Sequence, residues 1–136
     1  FIHVGIDPYA NLKYQHYDGH PPCVLDYTDK MRDQLLEDFK IYKPKFQLAN
    51  ITDCEFMEFR AFGESTYAFV HFDGPHRSRD VMTEAIWFAN RSAPHTRFVF
   101  DDYQTYKMKI IAVALSLFGF KTLEKGENKI CLEKKP

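Results

Sequence analysis

The chain has 136 residues, 45% of them apolar and 16% aromatic, with a formal net charge of −1. That length suits one domain spanning residues 1–136 with a core of its own, and the apolar share excludes wholesale disorder. Lys and Arg are nowhere concentrated, so nucleic acid is not an expected partner, and the most apolar stretch, Ile110 to Phe120, is too short to span a bilayer.

The first apolar run, Phe1-Ile2-His3-Val4-Gly5-Ile6, reads as a strand already under way, so either the protein is processed or residues upstream of Phe1 are missing. It ends at Asp7-Pro8-Tyr9, and a polar loop from Asn11 to Leu25 follows. A first helix is predicted from Thr28 to Tyr42, with Met31, Leu35 and Phe39 recurring every four residues. Asp26 or Thr28 can cap its start, and Pro44 lies beyond its end. A second strand is predicted over Phe46 to Ile51.

The third strand, Tyr67 to Phe72, is almost wholly apolar, as suits a central parallel strand buried on both faces. A helix over Ser78 to Asn90 presents Val81, Met82, Ala85, Ile86 and Ala89 on one side. The fourth strand is predicted over Arg97 to Phe100, and the third helix over Thr105 to Phe118, with Gly119 as its left-handed cap. The tail reads as a hairpin, Phe120 to Glu124 and Lys129 to Glu133, turning at Gly126-Glu127-Asn128. Alternation of strand and helix predicts an α/β fold, a three-layer α/β/α sandwich with a mostly parallel sheet and an antiparallel C-terminal hairpin. The three cysteines, Cys23, Cys54 and Cys131, are far apart and lack C-x-x-C spacing, which reads as free thiols in a reducing, cytoplasmic setting.

Two predicted strands end in carboxylates, Asp73 on the third and Asp101-Asp102 on the fourth. Ligands of open parallel sheets sit outside the carboxyl ends of the strands. Three like charges gathered there repel unless a cation or proton intervenes, and crowding is expected to raise at least one carboxylate pKa. Hard oxygen donors suit Mg²⁺, Mn²⁺ or Ca²⁺. Asp-Gly after a strand is also an ordinary turn, and Asp-Asp before a helix an ordinary cap.

The run Phe69-Val70-His71-Phe72-Asp73-Gly74-Pro75-His76, followed by Phe98-Val99-Phe100-Asp101-Asp102-Tyr103, resembles the metal-dependent O-methyltransferases of the class I S-adenosylmethionine-dependent superfamily. The catechol and macrocin-type sugar O-methyltransferases belong to that group. The resemblance implies a Rossmann-like sandwich, S-adenosylmethionine as cofactor and a divalent metal held by Asp73, Asp101 and Asp102. It also implies that Asp7 takes the ribose hydroxyls, that Thr52 and Asp53 lie near the adenine, and that His76 takes the substrate proton. Arg77 and Arg79 are candidates for an acidic substrate.

The family's first strand and Gly-rich turn have no counterpart here, since no G-x-G occurs. The expected function is metal-assisted O-methylation of a hydroxyl on a small molecule or sugar, by a chain that pairs with a second copy of itself. Two alternatives remain open: an inactive methyltransferase-like domain serving assembly, and a metal-dependent, hydroxylase-like sugar-modifying enzyme.

Overall fold

The computed structural model describes residues 2–10, 12–24, 27–42, 45–61, 63 and 65–136. Their contacts form two compact units, one spanning 1–14 and 22–62, the other 15–21 and 63–136. Among the described residues no helix is long and apolar enough to cross a membrane.

In the first unit, β1 (His3–Ile6) runs parallel to β4 (Phe46–Ala49), in register from His3↔Phe46 to Ile6↔Ala49. The chain between them holds a two-residue antiparallel pair, β2 (Lys13–Tyr14) with β3 (Cys23–Val24), inside the expected loop. It also holds α1 (Asp29–Asp38), whose N-cap Thr28 accepts from the Met31 N–H at 3.3 Å. Asp26, Pro44 and Phe1, also invoked above, lie outside the described residues.

The α-helix ends four residues before Tyr42, and Lys40–Tyr42 tightens into a 3₁₀ turn. A β-branched and an aromatic residue, Ile41 and Tyr42, weaken helical propagation there. The expected apolar stripe is not a buried core: α1 carries no buried residue, and Met31 is 47% exposed. Phe39 instead rests its ring against Phe46 at 4.8 Å. A further helix, α2 (Asp53–Phe59), opens on a capping box in which Thr52 and Glu55 satisfy each other's backbone N–H groups. It buries Phe56 and Met57.

The second unit contains a four-stranded sheet in the order β5–β6–β8–β7. β5 (Tyr67–Phe72) is parallel to β6 (Ser92–Phe100); β8 (Ile130–Lys134) runs antiparallel to both β6 and β7 (Phe120–Lys125). Helix α3 (Ser78–Ala89) links β5 to β6, and α4 (Met108–Ser116) links β6 to β7. β6 starts five residues before Arg97, where Pro94 disguises a strand that a proline can enter only at an edge or irregularity. The pairing with β5 is irregular in that region, and the buried Thr96 hydroxyl donates to the Tyr67 carbonyl at 2.7 Å.

One face of this sheet supplies Phe72, Phe98, Phe100, Phe120 and Leu132 to the core. Phe72 stacks on Phe100 at 4.4 Å, and Phe98 on Phe120 at 4.3 Å. Val81, Ala85 and Phe88 of α3, with Ile111 and Leu115 of α4, complete it. Full burial of such side chains contributes about 1.5–3 kcal/mol each. Gly119 adopts φ 86°, a left-handed turn in which glycine carries no Cβ penalty, and sends the chain from α4 into β7. The opposite face carries Phe69, His71, Val99, Cys131 and Glu133, none of them buried. Among the described residues β5 stands at the sheet's edge rather than its centre, with Phe69 58% exposed. The architecture is thus mixed α/β, with a parallel strand pair in each unit and an antiparallel C-terminal hairpin.

Candidate functional site

The parallel register of β5 and β6 builds a rim at their carboxyl ends. His71 lies opposite Val99 and Phe72 opposite Phe100, and the Asp101 N–H donates to the Phe72 carbonyl at 3.0 Å. Residues two apart on a strand share a face, so His71, Asp73 and Asp101 come to one side while Phe72 and Phe100 go to the core. One ligand atom from each of these three lies within 4.8 Å of the other two. His71 and Asp73 are exposed and Asp101 is half-buried.

Asp102 is outside that group. The chain turns left-handed there, with φ 43°, a conformation that Asp tolerates better than most residues. Its N–H donates to Asp101 Oδ1 at 2.9 Å, and its carbonyl accepts from the Thr105 N–H and hydroxyl, each at 2.8 Å. Asp102 therefore organises the turn that follows β6.

Crowding does not raise the Asp101 pKa. The Lys129 ammonium pairs with Asp101 Oδ2 and holds the carboxyl below its ordinary range, helped by the Asp102 N–H. Asn128 Nδ2 approaches Oδ1 at 3.4 Å. The hairpin turn between β7 and β8 thus supplies the compensating cation that carboxylates at a rim require.

His76 is buried, 5% exposed. Its Nδ1 lies 2.8 Å from His16 Nε2, and its ring is nearly parallel to those of Tyr17 and Tyr106, each 5.7 Å away. Burial and the carboxylates of Asp101, Asp102, Glu84 and Asp73 push the Tyr106 phenol far above its usual pKa. Its hydroxyl donates to the Asp101 carbonyl at 2.9 Å.

His16 arrives on Gln15–Pro21, a strap belonging to this second unit although sixty residues distant in sequence. Gln15 Oε1 accepts from Arg77 at 3.2 Å, Tyr17 bridges to His76, and Asp18 accepts from the Ser78 N–H at 3.1 Å and from its hydroxyl. Asp18 thereby caps α3, whose own N-cap residue Arg77 makes no side-chain cap bond. Arg77 is engaged by Gln15 and by Asp80 at 2.9 Å, whereas Arg79 is 82% exposed.

The remaining candidates belong to the first unit. Asp7 and the segment Asn50–Asp53 both follow the carboxyl ends of the parallel pair β1–β4, joined by the Asp7 N–H bond to the Ala49 carbonyl at 3.2 Å. Asp7 Oδ1 accepts from the Tyr9 N–H at 2.8 Å, and the Thr52 hydroxyl is engaged in the capping box. Asp53 is the first residue of α2.

No protein-family model matches the chain, and no curated protein matches it in sequence. Sequence reasoning passed over His71, His16 and Lys129. His71 was signalled by its position two residues before Asp73, which strand alternation puts on the same face. No local pattern marks His16 or Lys129, because their contacts span 60 and 28 residues.

Proposed function

We propose that this chain is an S-adenosylmethionine-dependent, divalent-metal-assisted O-methyltransferase acting on a hydroxyl of a small molecule or sugar. The convergence of His71, Asp73 and Asp101 at the carboxyl rim of a parallel strand pair is the observation that carries the reading. The donor set fits a divalent ion: two carboxylates suit Mg²⁺, Mn²⁺ or Ca²⁺, and the imidazole favours Mn²⁺ among them. A parallel strand pair followed by an antiparallel C-terminal hairpin also supports the reading.

A divalent ion held there would lower the pKa of a substrate hydroxyl, and S-adenosylmethionine would supply the methyl group. Asp73, Asp101 and His71 would hold the ion, and Asp101 would give up its Lys129 partner to do so. The resemblance gives the hydroxyl proton to His76, whose ring, buried between Tyr17 and Tyr106, would have to become accessible to take it. In the first unit, Asp7, which accepts from the Tyr9 N–H, would take the ribose hydroxyls, and Asp53, the first residue of α2, would lie near the adenine. Thr52 serves the helix cap and is the weakest of the cofactor contacts.

Calorimetric titration with S-adenosylhomocysteine, with and without Mg²⁺, tests the reading. Binding that strengthens with Mg²⁺ supports it. Tight binding indifferent to metal removes the metal from the mechanism, and no binding at millimolar ligand removes the methyltransferase assignment.

A further inference from the structure

Two histidines sixty residues apart meet in the second unit, and one of their four ring nitrogens has an unusual environment. His76 Nε2 is sealed from solvent and has no hydrogen-bond partner, while His76 Nδ1 lies 2.8 Å from His16 Nε2. Only one proton can occupy that contact. If His16 donated it, His76 would carry its own proton on Nε2 and bury a donor with nothing to accept it. Orphaned buried N–H groups are rarer than orphaned acceptors, and an unmet donor forfeits its full desolvation cost. If His76 donates through Nδ1–H, Nε2 is left as a bare lone pair.

We propose that His16 is the positioning residue of His76: it accepts the Nδ1 proton, fixes the ring's tautomer, and leaves the sealed Nε2 as the unprotonated ring nitrogen. A base oriented by a third group is a general device of proton-transfer sites, usually with a carboxylate in the third position. Here a neutral imidazole fills it. His16 suits that role because burial, and then the neighbouring His76, lower its pKa and keep it neutral near pH 7. The strap bonds at Gln15, Tyr17 and Asp18 hold it in place from both sides. Tyr17 and Tyr106 restrict the His76 ring further by stacking.

The inference rests on the proton-accepting role given to His76 above, but its test does not require methyl transfer. Long-range ¹H–¹⁵N correlation spectra of the ¹⁵N-histidine-labelled chain at neutral pH report which ring nitrogen carries the proton. The expected result is an Nδ1–H tautomer at His76. His16→Gln, whose carbonyl oxygen still accepts, should retain it, and His16→Ala should shift His76 to the Nε2–H form. An Nε2–H tautomer in the unaltered chain overturns the proposal without need of any variant. So does a His16→Ala protein that is folded by circular dichroism and keeps Nδ1–H. An Nδ1–H tautomer in a chain that binds no S-adenosylhomocysteine would uphold the positioning and refute the methyltransferase reading instead.

Discussion

Replacing Lys129 with Met should tighten metal binding at the rim. The Lys129 ammonium occupies Asp101 Oδ2, so a divalent ion must displace it. Lys129 is 47% exposed and Asp101 14%, which places the pair in the weak class of ion pairs, about 0.2–1 kcal/mol. Removing the lysine also removes repulsion between a unit charge and a dication a few ångströms away. In well-hydrated surroundings that repulsion is about 1 kcal/mol for each unit of ion charge at 4 Å, reduced further by salt. Together these favour the variant by about 2–3 kcal/mol at low ionic strength, or roughly 40- to 150-fold in dissociation constant. Isothermal titration with Mn²⁺ at low ionic strength reads the change directly, and the advantage should shrink as salt is added. Asp101→Asn should act in the opposite sense. An unchanged or weaker affinity in Lys129→Met would refute the idea that Lys129 and the metal compete for one carboxylate.

Asp18→Ala removes the cap that the strap lends to α3 and should destabilise the chain by about 1 kcal/mol in urea melts. The Ser78 hydrogen bonds lower the Asp18 pKa from its ordinary 3.8, so its contribution is full above that value and lost as pH falls below it. Asp18→Asn should flatten that acid dependence while keeping much of the stability at neutral pH. Among the described residues β5 is an edge strand of its sheet, with Phe69 exposed on it; such an edge invites strand pairing, and light scattering at micromolar concentration should give a dimer mass. A monomer there would remove the second copy from the account.

Strand positions were legible because apolar runs ending in Asp73 and Asp101 have few other interpretations. Their parallel pairing follows from the intervening helix, and the pairing in turn aligns the two carboxylates. The capping box of Thr52 and Glu55 was equally readable, yet the helix it opens was missed because only seven residues follow. Asp102 looked equivalent to Asp101 in sequence, and a single left-handed residue separates their roles. The burial of His76 could not be read, since it depends on a strap from the far end of the chain. Helix α1 shows the reverse failure: its four-residue periodicity is real, but periodicity does not state how much of a stripe is covered.

Paramagnetic broadening by Mn²⁺ tests the proposed metal site most directly. In ¹H–¹⁵N spectra of the whole chain, substoichiometric Mn²⁺ should first erase the amide signals around His71, Asp73 and Asp101, together with those of Asn128 and Lys129 on the neighbouring turn. Mg²⁺ should restore them by competition, and Asp73→Asn with Asp101→Asn should abolish the effect. Broadening spread over the acidic surface of α1, at Asp29, Asp33 and Asp38, with the rim untouched, would contradict the assignment of the rim as a metal site.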